Sequence, residues 1–136
     1  MTRPIDPEEQ LQRTCWQWHL IEGERRYGIA ARAVPNGGGR SKSEGGRLKA
    51  MGVVAGAGDW HCTLPQGRTG WIEFKAPEQR DWKGKIIRRA GVQSGDQIAF
   101  QAAEEARGAL YAVVWSLDEL IAAYQRWSAL AAREAA

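Results

Sequence analysis

"DWHCTLPQGRTGWIEFKA", residues 59–76, carries two aromatic-rich, strand-like runs on either side of the turn signal "QGRTG". Such a pattern predicts a β-hairpin. Side chains two apart on a strand share a face, so Glu73 and Lys75 point one way while Ile72 and Phe74 point into the opposite layer. With the turn centred near Gly67 and Arg68, Asp59 falls roughly opposite Lys75, where cross-strand neighbours lie about 4.5–5.5 Å apart. Three charged groups then converge on an otherwise apolar hairpin, on condition that the turn type sets this register.

Two carboxylates so placed repel, and burying them unpaired raises one pKa until it takes up a proton. A divalent cation removes the conflict. Hard oxygen ligands suit Mg²⁺ or Mn²⁺ rather than zinc, with Asp59, Glu73 and the backbone carbonyl of Phe74 as protein ligands and water completing the octahedron. Lys75 would orient a water or stabilise charge on a phosphate oxygen. The same E-x-K also reads as a solvated face carrying an ion pair, and both readings stand at this point.

Working outward, "DPEEQLQRTCWQWHLIE" predicts a first helix with Asp6 as N-cap, Pro7 at its first position, Glu9 spaced for a capping box, and Leu11, Cys15 and Trp18 on one apolar face. "RYGIAARAV" reads as a short strand ended by "PNGGGR", and "SKSEGGRLKAMG" as a short helix stopped by Gly52. Beyond the hairpin, residues 77–93 form a basic connection without clear periodicity. A helix starts near Ser94 and ends at Gly108, "ALYAVVW" is a buried strand, and a last helix opens on Ser116 and Glu119. The strand–helix–strand passage requires a right-handed crossover and one parallel pair. The fold class is therefore α/β, a mixed central sheet flanked by helices.

The 136 residues suit one domain, and a composition 43% hydrophobic and 26% charged is globular. A net charge of +3 is compatible with a polyanionic partner without requiring one. No signal-peptide pattern opens the chain and no apolar run approaches ~18 residues, so a soluble, cytoplasmic protein with no membrane contact is expected. Cys15 and Cys62 are expected as buried thiols. Together with His19 and His61 they make a nominal zinc set, but His61 and Cys62 are adjacent on a strand and face opposite ways, which argues against one shared ion.

The stretches "EEQLQ", "PNGGGRSKSEGGRLKAMGVVAGAGD", "WIEFKAP", "SGDQ" and "YAVVWSLDEL" follow in this order over most of the chain. Together they resemble the PD-(D/E)xK nuclease superfamily and, within it, the VRR-NUC family of phages and bacteria. The resemblance implies a single nuclease domain over residues 1–136, with a restriction-endonuclease-like core that uses Mg²⁺, replaceable by Mn²⁺, to hydrolyse DNA. By position it implies Asp59, Glu73, Lys75, Gln97 and Glu9 as catalytic residues. Metal would fall to Asp59, Glu73, the Phe74 carbonyl and Glu9, with Glu8 as the substitute for Glu9. Gly58 stands where the superfamily has proline. The 77–93 connection is longer than usual, adding Trp82, Lys83, Lys85, Arg88 and Arg89, which bears on the register of Gln97.

Asn36, Arg40, Ser41, Lys42, Arg47 and Lys49 flank or follow a glycine-rich loop and suit phosphate contacts through side chains and amides; a solvated loop is the alternative. The G-K-[ST] ending of a P-loop is missing. The expected function is a Mg²⁺-dependent DNA endonuclease selective for branched or four-way (Holliday) junction DNA. It would act as a homodimer in a bacterial or phage-infected cell. A catalytically inactive nucleic-acid-binding module is the main rival, and a scaffold protein the third reading.

Overall fold

The computed structural model describes residues 4–35 and 42–136, Lys42 by its backbone alone. Helix α1 (Pro7–Trp18) is capped by Asp6, whose carboxylate accepts the Glu8 amide at 2.8 Å. It runs on through a π-helical turn (His19–Gly23) into α2 (Glu24–Tyr27), which ends at left-handed Gly28. Then come β1 (Ala30–Ala33), α3 (Lys42–Ala50), β2 (Trp60–Thr63) and β3 (Thr69–Phe74). The chain closes with the short pair β4 (Gln79–Arg80) and β5 (Ile86–Arg88), then α4 (Gly95–Ala106), β6 (Leu110–Val114) and α5 (Leu117–Ala135).

The main sheet has the order β1-β2-β3-β6, antiparallel except for the parallel β3–β6 pair that α4 bridges. This is the expected mixed α/β sheet. The hairpin register differs in detail from expectation. The loop is Pro65–Gly67, with Gln66 at φ +71° and Gly67 at φ +78°, so Trp60 pairs with Ile72. Asp59 continues the ladder through its amide to the Ile72 carbonyl (2.9 Å) and flanks Glu73 rather than Lys75. A shift of two residues keeps every side chain on its face, so the three charges still lie on one side. The 77–93 connection, expected as irregular, contains the β4–β5 ribbon.

One face of the sheet meets α1 and α5. Trp60, Cys62, Ile72, Phe74 and Val114 pack there with Cys15, Leu120, Tyr124 and Trp127. The apolar side of α5, with Leu120, Tyr124 and Trp127, thus covers the sheet. Gly70 lies beneath the Trp127 ring, where a Cβ would approach to 2.6 Å. His19 is buried in this layer, its Nδ1 2.8 Å from the Tyr124 hydroxyl and its ring stacked on Trp16. The other face carries Trp71, which meets Phe100 of α4 edge-on at 5.0 Å and donates from Nε1 to Glu104 at 2.7 Å.

Gly56 joins the segment before β2 to the first turn of α4. It sits at φ +78°, and a Cβ there would come within 2.4 Å of the Asp96 backbone and 2.7 Å of the Gln97 nitrogen. Gly56→Ala therefore combines left-handed strain with a backbone clash, an expected loss of about 1–3 kcal/mol. Gly45→Ala, in α3 with open space around it, should instead gain about 0.5–1 kcal/mol. Thermal melts of the two variants check the contrast.

Candidate functional site

Glu73 is fully buried at the middle of the sheet, an environment that demands partners for its charge. Its Oε1 accepts from the Tyr111 hydroxyl at 2.6 Å and from Gln93 Nε2 at 3.2 Å. Its Oε2 has no hydrogen-bond partner. Lys75 Nζ stands 3.7 Å from that oxygen, too far for a hydrogen bond, and donates instead to Gln97 Oε1 at 2.6 Å. Lys75 is itself only 7% exposed. The solvated-face reading of this E-x-K motif does not survive these burials.

Asp59 reaches the same place from the start of β2. Its Oδ2 accepts the Phe74 amide at 2.7 Å, which pins the carboxylate against β3. Burial pushes its carboxyl up to about 6; the Glu73 charge adds to the rise, while the Phe74 amide and Lys75 oppose it. Gly58, just before it, lets the Trp71 ring approach to where a Cβ would stand 2.9 Å away.

Gln97 does two jobs with one oxygen. As third residue of α4 it completes a capping box with Ser94, its amide donating to Ser94 Oγ at 3.2 Å and its Oε1 accepting the Ser94 amide at 2.8 Å. The same Oε1 accepts a hydrogen bond from Lys75 Nζ at 2.6 Å, so the helix cap positions the ammonium.

At the start of α1 the two acids diverge. Glu8, half-buried, has its carboxyl raised by desolvation and then by the charge of Asp59, with Lys75 opposing and Glu73 adding a smaller rise. It therefore shares the field of the site. Glu9 pairs with Arg13 at 3.0 Å and lines a cavity of about 820 Å³ with Gln12, Arg13 and Trp16. Two successive helical residues point about 100° apart, so only one of them can face the sheet end where Asp59 lies. Sequence pattern missed Tyr111 and Gln93; a tyrosine in a buried strand whose hydroxyl needs a partner was the one available signal.

His61 shares the Asp59 face, but its Nδ1 lies 2.7 Å from Arg32 and its ring meets Trp71 edge-on at 4.9 Å. Arg47 and Lys49 are exposed on the last turn of α3. Asn36, Arg40 and Ser41 lie outside the described residues, as does the side chain of Lys42.

Among the described residues no group of three or more His, Cys, Asp and Glu side chains is arranged to hold a metal ion. Two carboxylates do converge: the buried Oε2 of Glu73, which accepts no hydrogen bond, and an Asp59 that burial makes hard to ionise are oxygen donors of the kind a hard cation would take. Mg²⁺ keeps several waters and is commonly held by one or two carboxylates, so the donor set fits it. No described helix is long and apolar enough to cross a membrane.

The Asp59 carboxyl holds its proton more tightly in the fold than at its ordinary value of 3.8, so ionising it destabilises the cation-free protein. The penalty is absent below about pH 4 and complete above about pH 6. Asp59→Asn, which retains an oxygen for the Phe74 amide, should raise Tm in chelator at pH 7.5 by the equivalent of ~2–3 kcal/mol. The gain should shrink toward pH 4. A variant melting below wild type at every pH contradicts this origin of the shift.

No protein-family model matches the chain, and no curated protein does. Among solved structures the chain is similar to one titled "VRR_NUC domain". The two are 20% identical, the match covers 86% of this chain and 96% of the other, and they superpose with a TM-score of 0.46.

Proposed function

We propose that this protein is a metal-dependent nuclease that hydrolyses DNA phosphodiester bonds at the Asp59–Glu73–Lys75 site. The observation carrying this reading is the buried Glu73 carboxylate, one oxygen saturated by Tyr111 and Gln93 and the other left without a hydrogen bond. Lys75 stands 3.7 Å from that second oxygen, an ion pair without a hydrogen bond, and gives its hydrogen bond to Gln97 instead. The PD-(D/E)xK pattern read from the sequence agrees with this arrangement.

Asp59, Glu73 and the Phe74 carbonyl would hold Mg²⁺, with Mn²⁺ as substitute and Glu8 better placed than Glu9 as the helix-one acid. When bound, the cation would neutralise charge on phosphate oxygens and lower the pKa of its water. The chain's own residues supply the rest. Lys75, fixed by the capped end of α4, holds positive charge where a pentavalent phosphate gathers negative charge. Tyr111 and Gln93 hold the Glu73 carboxylate in one orientation, so the site meets its substrate without reorganising. Arg47 and Lys49, with Asn36, Arg40, Ser41 and Lys42, would contact phosphates along the strand.

The finer reading is cleavage of branched or four-way DNA by a homodimer in the cytoplasm. One site per subunit cuts two strands in register most simply across a two-fold axis. Since the apolar side of α5 is spent on the core, the dimer contact must lie elsewhere.

Alanine at Asp59, Glu73 or Lys75 should lower cleavage by about 100-fold or more in Mg²⁺ while leaving most DNA affinity. Ca²⁺ should support binding but not cutting, because it takes the same oxygens with looser geometry. If wild-type protein binds DNA yet never cuts it in Mg²⁺ or Mn²⁺, the inactive binding module is the correct reading. Sedimentation of the free protein and cleavage of four-way against linear duplex check the finer reading.

A further inference from the structure

The β4–β5 ribbon grows directly out of this site. It leaves immediately after Lys75 and returns at Gly91, whose amide donates to the Ala76 carbonyl at 2.9 Å and whose own carbonyl accepts from Trp115 Nε1 at 2.8 Å. Two residues later Gln93 bonds Glu73. Arg88 Nη2 braces the base by donating to the Pro77 carbonyl at 3.0 Å.

The far end is closed by its own backbone. Asp81 Oδ1 accepts the amides of Lys83 and Lys85, each at 2.9 Å, and Arg80 Nη1 donates to the Gly84 carbonyl at 2.7 Å. Gly84 turns the chain at φ +84°. None of these bonds uses Trp82, which is 89% exposed, the most exposed large apolar side chain among the described residues. Lys83 Nζ lies over its ring at 4.9 Å.

A tip held rigid by other residues, yet presenting a bare indole, calls for a partner with a flat apolar face. Charge says which. Glu78 is taken by Arg80 at 2.6 Å and Asp81 by backbone amides, leaving Lys83, Lys85 and Arg89 without a carboxylate partner among the described residues. An exposed aromatic ring with Lys83 over it, on a hairpin that also carries Lys85 and Arg89, matches a base on a phosphate backbone better than a protein surface. At about 3.3 Å per residue, Trp82 stands up to ~17 Å beyond Pro77, about five stacked nucleotides from a phosphate in the site.

We propose that the 77–91 hairpin is a base-reading arm: Trp82 stacks on an unpaired base while Lys83 and Lys85 hold the neighbouring phosphates. The arm favours DNA that offers unstacked nucleotides a few positions from the scissile bond. This inference rests on the DNA-cleaving reading above.

The test measures binding in Ca²⁺ to a forked duplex carrying 2-aminopurine in its single-stranded arm, and to a blunt duplex of the same length. Wild-type protein should quench the fork's 2-aminopurine fluorescence. Trp82→Ala should abolish that quenching and weaken fork binding about tenfold, with blunt-duplex binding within twofold of wild type. Trp82→Phe should restore most of the affinity. Because Trp82 is exposed, neither variant should change the melting temperature. Unchanged fork binding and quenching in Trp82→Ala, with wild-type protein still cutting DNA, overturns the arm and leaves the nuclease intact. Binding of neither DNA by wild type overturns both. An equal loss on fork and blunt duplex overturns the selectivity, and sedimentation in which Trp82→Ala alone turns a dimer into monomers reassigns the indole to a protein contact.

Discussion

A carboxylate with no solvent exposure on the central strand is the constraint around which the rest of this molecule is organised. An unpaired Glu73 at that depth would cost several kcal/mol. Its neighbours come from four separate parts of the chain. Tyr111 arrives on β6, Gln93 at the return of the β4–β5 ribbon, Lys75 just past the end of β3, and Asp59 just before β2. The elements carrying Tyr111, Gln93 and Lys75 must dock in register for the charge to be tolerated, whereas Asp59 adds a like charge. The parallel β3–β6 pair is what brings Tyr111 onto the Glu73 face, since Trp71 pairs with Tyr111 and Glu73 with Val113.

The sheet divides labour between its faces. On one side Trp60, Phe74, Tyr124 and Trp127 form an aromatic core, and Gly70 gives up its side chain so that Trp127 can close on the strand. That layer supplies the hydrophobic stabilisation. The opposite side spends some of it, because an Asp59 whose carboxyl is pushed up to about 6 is strained whenever it ionises without a counter-charge. Stability on one face thus underwrites an electrostatic conflict on the other, a conflict that a bound cation would relieve.

Helix α4 shows the same economy at the scale of one atom. The Ser94–Gln97 capping box is an ordinary way to start a helix, and Gln97 in that role explains itself. Only its second contact, from Lys75 to the same oxygen, ties the cap to the site. Gly56 permits this by letting the segment that leads to Asp59 lie directly against the first turn of α4.

Local chemistry determined much of this in advance. Caps at Asp6, Ser94 and Ser116, the alternation of Ile72, Glu73, Phe74 and Lys75, and the turn around Gly67 were legible because each depends on residues within a few positions of one another. Side-chain parity even survived a turn read two register positions off. What the tertiary structure decided are the contacts made by residues far apart in the chain. Whether Glu8 or Glu9 faces Asp59 depends on how α1 is rotated against the sheet, a choice the capping pattern does not encode. Tyr111 and Gln93 reach Glu73 across separations of 38 and 20 residues, set by a crossover and a ribbon whose lengths carry no periodic signal. The residues beside Trp82 do not say whether its ring covers the core or stands outside to stack on a base. Its place was settled by a backbone that closes the hairpin on Asp81 and Gly84, leaving the indole no interior to enter.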